Sequence, residues 1–404
     1  MAWIEHGDHW RRPLDCHDRQ FQVIAELGKR HGREQSMLMG VVQLEVLDDE
    51  MDLKRYYPVR DEADLEAWCD ETFRVENLPS SDEVLGDLMR TAAPQATCHW
   101  VPTSNQLCLL ASLTPLPRGF DGSEARHLAP TLDVVLGMPE TINPAWEARA
   151  DEVIAPTFQE ENQRSIGLPI APERSTASPH NTRRVALRIN AEQAVALRRE
   201  CHQQGVTLTT AVHASVTAET PLVCTRGASK YVAPVVVDLR KYCPPPFDGP
   251  VHAPSLRMLA LPLVVDAGQP WSEIAQAIQP AYRHSFDPEK SDMLFVRVPY
   301  VNKVTALLEP MKDIHPSSSS EPHPSSLGVI DGHIQRTYGG VEVRDVSFGI
   351  QMVTGQVLVY FWSWRGEMHL SASYNEAYYT QEHVRGWLEA VRENLVENLL
   401  EAKE

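Results

Sequence analysis

The alternation of hydrophobic and polar positions along the chain predicts a mixture of strands and helices. Short apolar runs at 37–46 and 106–113 are typical of buried strands, and 61–75 has the spacing of an amphipathic helix. A further helical pattern is present near 123–137. Between 155 and 184 the pattern is lost and prolines interrupt a polar stretch, which indicates a long crossover between two folded parts.

Regular patterns return after this stretch. Val185–Ile189 is typical of a strand, and Asn190 with Gln193 three residues later forms the signature of a helix N-terminus. Gly205 is expected to end that helix. The remaining predicted elements are a helix at 207–217, a strand at 231–239, a Ser- and Pro-rich loop at 314–326, two strands at 356–364 and 367–374, and a final helix with Val384, Leu388, Val391 and Leu395 on one face.

These patterns predict an α/β (α+β) protein built from two lobes. We expect an N-terminal lobe over 1–154, a crossover linker over 155–184 and a C-terminal lobe over 185–404. The length of 404 residues supports this division, because single domains are usually about 100–200 residues long. The hydrophobic share of 43% supplies enough apolar side chains for two cores.

The charge and the cysteine content exclude several classes of function. A net charge of −18 repels phosphate, so we expect neither nucleic acid nor an anionic membrane surface as a partner. No apolar run reaches the ~20 residues of a membrane span, and the first residues form neither a signal nor a transit peptide. The seven cysteines include no CxxC pair and no Cys/His cluster with ligand spacing, so we expect reduced thiols and no metal. We therefore expect a soluble, cytoplasmic monomer whose partner is a small apolar molecule.

Several short motifs occur in a specific order along the chain. They are Tyr56–Val75, Gly205–Ala214, Asp238-Leu239-Arg240 followed by Pro244-Pro245-Pro246, Ser325-Ser326-Leu327-Gly328, Asp345–Gly349 and Trp364–Tyr379. Together they resemble the fungal trichothecene O-acetyltransferase group, which is related to plant acyltransferases and peptide-synthetase condensation domains. The resemblance covers most of the chain. It implies a two-lobed chloramphenicol-acetyltransferase-like or condensation-domain-like fold, with a tunnel between the lobes that acyl donor and alcohol enter from opposite faces.

The chain departs from this family at the motif that carries the chemistry. The family's His-x-x-x-Asp-Gly is expected after the apolar run at 106–113, and there the sequence has Pro117 in the histidine position, followed by Asp121 and Gly122. None of the sixteen histidines has an aspartate four residues later. Acyl transfer to an alcohol needs a group that takes the hydroxyl proton, and proline has none. The first lobe also looks shortened relative to the family before Tyr56.

The remaining motif residues are expected to be architectural. In the family the aspartate of this motif points away from the substrate and pairs with an arginine, so the resemblance implies that Asp121 pairs with Arg240 or Arg118. We assign Pro117, Asp121, Gly122, Asp238 and Arg240 to this structural motif. Arg118 has two alternatives: a catalytic hydrogen-bond donor to a carbonyl or carboxylate, or a surface arginine.

Aromatic residues near the end of the sequence are candidates for a substrate wall. Tyr360, Trp362 and Trp364 alternate along one predicted strand and therefore share a face, and Tyr374 follows on the next strand. The alternative is a packed sheet face. Tyr374 joins Arg118 as a predicted catalytic hydrogen-bond donor. Family analogy places Ser325 and Ser326 near the tunnel, and His213, within an apolar helix, is either a core residue or part of the tunnel wall.

Three functions fit a tunnel without a base. Our leading hypothesis is a cofactor-free cyclase or pericyclase of the intramolecular Diels–Alder type, which acts on an apolar fungal terpenoid or polyketide; the norbornene-forming Diels–Alderase of the sordarin pathway is one example of such chemistry. The alternative is an acetyl-CoA-dependent O-acetyltransferase of a terpenoid alcohol, with its base supplied from elsewhere. The third is a non-catalytic binding or carrier protein.

Overall fold

The structure is a computed structural model that describes residues 12–13, 53–54, 73–75, 77, 97–101, 106–110, 130–139, 141–158, 165–220, 230–249, 257–283, 285–286, 292–308, 315–334, 336–338 and 341–401. The chain divides into two compact units. The first comprises Met1–Glu147, Asp238–Leu259 and Phe295–Lys312, and the second comprises Ala148–Val237, Ala260–Leu294 and Asp313–Glu404. The sequence predicts consecutive lobes with boundaries at 154 and 184, whereas these units alternate along the chain.

Strands and helices are interspersed through the described residues, which confirms the predicted mixed architecture. The strands are β1 (Arg12–Pro13), β2 (Leu53–Lys54), β3 (Phe73–Val75), β4 (Thr97–Val101), β5 (Gln106–Leu110), β6 (Thr182–Ile189), β7 (Lys230–Asp238), β8 (Met258–Asp266), β9 (Pro322–Val329), β10 (Thr337–Tyr338), β11 (Val341–Glu342), β12 (Val357–Trp364) and β13 (Glu367–Asn375). The helices are α1 (Leu132–Val135), α2 (Pro144–Phe158), α3 (Ala191–Gln203), α4 (Leu208–Ala218), α5 (Trp271–Arg283), α6 (Met293–Leu308) and α7 (Gln381–Val396).

The described strands of the first unit confirm one prediction and correct another. β3, β4 and β5 form a sheet in that order, and β5 corresponds to the predicted strand at 106–113. The predicted helix at 61–75 is wrong at its end, because Phe73–Val75 pairs in parallel with β4. An aromatic and a β-branched residue suit this pairing, which also satisfies their backbone groups. The rest of that helix and the predicted strand at 37–46 lie outside the described residues.

The second unit is built on a four-stranded sheet in the order β6-β13-β12-β9. β13 is antiparallel to both of its neighbours, β6 and β12, and β9 runs parallel to β12. β12 and β13 form the predicted strand pair, joined by Arg365 at φ 52° and Gly366 at φ 86°. Two left-handed residues in a two-residue loop give the twist that a tight hairpin needs, which explains the glycine at this position.

The predicted Ser- and Pro-rich loop at 314–326 is wrong in its second half. β9 begins at Pro322, and its backbone pairs with β12 from Pro322 through Ser326. β9 is an edge strand of the described sheet, and Pro322 and Pro324 alternate along it. The backbone nitrogens of both prolines can therefore face away from β12, so the missing N–H groups cost no hydrogen bond between the two strands. A bulge at Leu327 follows, where the partner of Phe361 is Ser326 and the partner of Trp362 is already Gly328.

Helices α3 and α7 pack against β6 and β13 and form much of the core. Asn190 caps α3 as predicted, because its Oδ1 accepts a hydrogen bond from the Gln193 backbone N–H at 2.9 Å. Gly205, at φ 71°, follows the last turn. The predicted apolar stripes are buried: Ala194, Leu197 and Cys201 on α3, and Val384, Leu388, Val391 and Leu395 on α7.

The described part of the predicted linker is a packed segment. Ile166 and Leu168 are fully buried, and their backbone N–H groups donate to the carbonyls of Lys230 and Ser320 at 2.8 and 2.9 Å. Gly167 lies against the Ser320 backbone so closely that a Cβ atom would be 2.7 Å from its carbonyl carbon. This segment therefore fixes the chain just before β9, where the candidate site residues begin.

Candidate functional site

The motif of the first lobe lies outside the described residues. This holds for Pro117, Arg118, Asp121 and Gly122, and their assigned roles stay predictions. Asp238 and Arg240 are described and form a local turn at the end of β7. The Asp238 carboxylate accepts hydrogen bonds from the Arg240 backbone N–H at 3.0 Å and from its guanidinium at 3.1 Å. Both side chains are partly exposed, so this pair orders the turn rather than a buried reaction centre.

The predicted aromatic row exists, and it is covered. Tyr360, Trp362 and Trp364 share one face of β12, and each is at most 3% exposed. Trp362 stacks on His369 at a ring separation of 5.1 Å and meets Phe348 edge-on at 5.1 Å. The row forms one hydrophobic cluster with Ile330, and the residues packed on it are Leu327, Ile334, Val343, Val346, Phe348, Ile350 and Leu358.

The aromatic row is buried by the segment 343–350. The extended segment 343–350 lies over the outer face of β12 and β13, and Asp345 in this segment pairs with Arg188 of β6. This segment is the one that resembles the family's Asp-Phe-Gly-Trp-Gly element. The row therefore has the packed arrangement that was the alternative to a substrate wall.

Tyr374 lies on the opposite face from the aromatic row. The pairing of Tyr360 with Ser371 places odd-numbered residues of β13 beside the row, so Tyr374 projects to the helix-covered side. Its side chain is 1% exposed, and burial raises its pKa to about 12. The register of β12 and β13 therefore separates Tyr374 from the aromatic row.

His213 is enclosed between α4, α5 and β7. Its ring is fully buried, Nδ1 lies 2.9 Å from the Tyr282 hydroxyl, and the Tyr231 ring meets it edge-on at 5.5 Å. Burial, with a smaller contribution from His323, lowers the pKa of His213 to about 3. The ring is therefore neutral at physiological pH and enclosed, which is the environment of a core histidine.

This burial predicts an acid-sensitive fold. The unfolded chain binds a proton on His213 below about pH 6.5, whereas the folded protein resists it down to about pH 3. Between about pH 3 and pH 6.5 the unfolded chain binds a proton on His213 that the folded protein does not bind. Acidification in this range should therefore lower the free energy of unfolding by ~1.4 kcal/mol for each pH unit. Urea titrations at pH 7, 6 and 5 measure this slope.

The matched control for this slope is His213→Asn, which keeps a polar group near Nδ1 and cannot be protonated in this range. The variant should be less stable at pH 7, but its stability should fall less steeply with acidification. Equal slopes for the two proteins would show that His213 is not the group responsible.

Ser325 and Ser326 lie on β9, on opposite faces of the strand. Ser325 is 9% exposed and pairs with Tyr360 of β12. Ser326 is exposed, and its Oγ accepts a hydrogen bond from the Thr209 hydroxyl at 3.2 Å. The bulge at Leu327 follows directly, so this edge of the sheet is irregular and carries hydroxyl groups on both sides.

A polar network on the same strand was not predicted from the sequence. Glu321 precedes β9, His323 lies within it, and Gln356 precedes β12. The Gln356 amide donates to Glu321 Oε1 at 2.5 Å, and the same amide nitrogen lies 3.1 Å from His323 Nε2. Burial would raise the pKa of Glu321, but the adjacent His323 and, to a lesser extent, the hydrogen bond from Gln356 hold that pKa below its ordinary value, so the carboxylate stays charged. No motif spacing joins positions 321, 323 and 356, so only the sheet register reveals this cluster.

Two cysteines of the second and first units, respectively, have shielded thiols. Cys201 and Cys243 are free and buried, and burial raises the pKa of Cys201 to about 12, so its thiol is a poor nucleophile. Within the described part of the chain, no group of three His, Cys, Asp or Glu side chains is placed to hold a metal ion. No described helix combines the length and the hydropathy required to cross a bilayer.

Comparison with known proteins agrees with this fold. No family model matches the chain. It is 26% identical to acetyltransferase pigO of Monascus ruber, over 94% of both chains, and 24% identical to O-acetyltransferase pigM of the same species, over 81% of this chain and 68% of pigM. The trichothecene 15-O-acetyltransferase of Fusarium sporotrichioides superposes with a TM-score of 0.69, at 14% identity, over 96% of this chain and 89% of that protein. The chain therefore has an acyltransferase-like fold.

The structural likeness extends to enzymes of peptide assembly. An epimerization domain of tyrocidine synthetase B superposes with a TM-score of 0.53 over 98% of this chain, at 12% identity. These likenesses establish the chloramphenicol-acetyltransferase-like and condensation-domain-like fold that the sequence motifs imply. At such low identity they establish the fold alone.

Proposed function

We propose that this acyltransferase-like protein closes a ring within an apolar secondary metabolite and uses no acyl donor or other cofactor. The observation that carries the proposal is Pro117, which occupies the histidine position of the family's catalytic motif. General-base catalysis is worth ~10²–10⁴ in rate, so acyl transfer without this histidine would be slow. The fold would then serve chemistry that needs a shaped pocket and no proton acceptor.

An intramolecular cycloaddition has these requirements. Two π bonds of one molecule become two σ bonds, and no atom, proton or electron enters or leaves. A pocket accelerates this reaction by holding a flexible chain in its reactive shape, which lowers the entropic part of the barrier. A hydrogen bond to a conjugated carbonyl lowers the barrier further, because negative charge grows on its oxygen in the transition state.

Two buried histidines of the second unit support this proposal. His213 is enclosed with a pKa near 3, and burial lowers the pKa of His369, which is stacked beneath Trp362. Neither ring is placed to accept a proton from a bound alcohol. His323, by contrast, is partly exposed.

The second candidate function is O-acetylation with acetyl-CoA. The observation that favours it is the similarity to pigO and pigM, which are both named acetyltransferases. In that case a base other than the motif histidine must take the proton of the alcohol, or the alcohol must be unusually acidic. A carrier without turnover is the third candidate.

Product mass separates these functions. The gene is deleted in its host, the metabolite that accumulates is purified, and the recombinant chain is incubated with it, with and without acetyl-CoA. We expect a product of unchanged mass that forms equally well without acetyl-CoA and faster than in buffer. A product that is heavier by one acetyl group and forms only with acetyl-CoA would contradict the proposal, and so would tight binding without conversion.

A further inference from the structure

The segment 343–350, which covers the aromatic row, is attached to the sheet through side chains. It belongs to neither a strand nor a helix. Side chains of the β12–β13 hairpin donate hydrogen bonds to three of its backbone carbonyls: Arg365 to Val343 at 2.8 Å, Trp364 to Arg344 at 3.4 Å and Ser371 to Phe348 at 3.5 Å. Two of these bonds are long compared with the usual ~2.7–3.0 Å. The segment is therefore held less firmly than a strand within a backbone ladder.

An ion pair at the middle of the segment is exposed to solvent. The Asp345 carboxylate contacts the Arg188 guanidinium of β6, and the two side chains are 47% and 55% exposed. Exposed ion pairs contribute little to stability and weaken in salt, because water and counterions screen both charges. The neighbouring apolar side chains, Val346 and Phe348, are only partly buried. Closure of the segment thus depends on several weak contacts.

Closure also encloses polar atoms that have no hydrogen bond. Within the described part of the chain, Trp362 Nε1 and His369 Nε2 are buried without a hydrogen-bond partner, and their rings are stacked on each other. An enclosed polar group without a partner raises the free energy of the closed form, because it has lost its bonds to water. Lifting the segment would return water to both atoms, which offsets part of the cost of exposing apolar area.

The opposite face of the same two strands is apolar and covered by helices. Val359 of β12 and Leu370 and Ala372 of β13 are fully buried on this face. Helices α3 and α7 pack against β13 there with their own buried stripes. This face is therefore exposed only when the core itself opens, whereas the other face needs only the release of a short segment.

We propose that 343–350 is a strap that lifts locally while the rest of the second unit stays folded, with the Asp345–Arg188 ion pair as its latch. In the lifted form Trp362 and His369 are hydrated, and the aromatic row is accessible from one side. Segments with few buried apolar contacts open at a lower free energy than the core of the same domain. The strap does not depend on the reaction that the protein catalyses.

Thiols placed on the two faces of β13 test the proposal. Ser371→Cys places a thiol beneath the strap and Ala372→Cys places one beneath the helices, and both positions are fully enclosed. Under native conditions we expect iodoacetamide to label the first thiol about tenfold or more faster than the second, because only the first needs local opening alone. Mass spectrometry of the labelled peptide distinguishes either thiol from the seven native cysteines. Equal labelling rates would overturn the proposal.

Asp345→Asn tests the latch. In the Ser371→Cys background it should accelerate labelling by up to about fivefold, which is the range expected for an exposed ion pair, and it should not affect the Ala372→Cys thiol. Glu367→Gln is the matched control, because it removes a carboxylate 3.9 Å from the same arginine that is on the sheet rather than on the strap. This control should not accelerate labelling. No acceleration by Asp345→Asn, or the same acceleration from Glu367→Gln, would show that Asp345 is not the latch.

The parent protein provides a second measurement that does not depend on the folding of the thiol variants. Nitrogen NMR in deuterium oxide follows the indole N–H of Trp362, whose signal is identified by its loss in Trp362→Phe. After correction for intrinsic rates, we expect this proton to exchange faster than the backbone amides of β12. Exchange no faster than these amides would mean that the strap opens only with the whole unit and would contradict the proposal.

Discussion

Replacing Pro117 with histidine is expected to give this protein an acetyl-CoA-dependent activity that the parent lacks. Pro117→His restores the full His-x-x-x-Asp-Gly motif, because Asp121 and Gly122 are already in place. A positioned general base contributes ~10²–10⁴ in rate, so we expect acetylation of terpenoid alcohols to rise within that range over the parent. The measurement is release of free CoA with a panel of alcohols, together with the mass of the product.

Pro117→Ala is the matched control for this gain of activity. It removes the proline ring without supplying a proton acceptor, so it should remain as inactive with acetyl-CoA as the parent. Equal acetylation by parent, alanine and histidine variants would show that the base lies elsewhere and would favour the acetyltransferase function. A histidine variant without any gain would show that the rest of the acyltransferase site is no longer assembled.

Replacing Trp362 with alanine is expected to destabilise the second unit severely. The Trp362 side chain is 3% exposed and lies between His369 and Phe348 beneath the segment 343–350. Truncation of a buried tryptophan leaves a large cavity, for which we expect a loss of ~3–5 kcal/mol in the free energy of unfolding. Urea unfolding followed by far-ultraviolet circular dichroism measures this loss.

Trp362→Phe is the matched control. It keeps an aromatic ring in the cluster, and it removes an indole N–H that has no hydrogen-bond partner among the described residues. It leaves a smaller cavity than alanine does, so its cost should be well below that of Trp362→Ala. If Trp362 were instead a wall of the substrate pocket, the alanine variant would keep its stability and lose turnover or ligand binding.

Elements that are determined by neighbouring residues could be predicted from the sequence. The capping of α3 by Asn190, the end of this helix at Gly205 and the hairpin at Arg365-Gly366 each depend on a few adjacent positions. Backbone sterics and local hydrogen bonds control all three. The apolar stripe of α7 is equally local, because helical spacing alone brings its residues to one face.

The errors arise where distant segments pair. The residues 322–326 look like a loop because proline is rare in strands, yet at a sheet edge proline costs no hydrogen bond, and the sequence does not tell which strand is at the edge. The face of Tyr374 depends on the register between β12 and β13. A shift of one residue would have reversed the assignment.

The candidate site also contains residues that a sequence motif identifies and residues that only strand pairing brings together. Ser325 and Ser326 could be selected by resemblance to a family motif, whereas His323 has no motif around it. Its contact with Gln356, which lies 33 positions away, exists only because β9 and β12 are neighbours. The aromatic row was correctly placed on one face, but the sequence contains no sign that 343–350 would cover it.

Because the two units alternate along the chain, neither is synthesised as one continuous segment. The first unit includes Phe295–Lys312, so its chain is incomplete on the ribosome until most of the protein has been synthesised. N-terminal folding ahead of the rest, which is common in multidomain proteins, is therefore restricted here. Cutting the gene at residue 154 or 184 would remove parts from both units, so domain exchange in this protein requires grafts of several segments rather than a single junction.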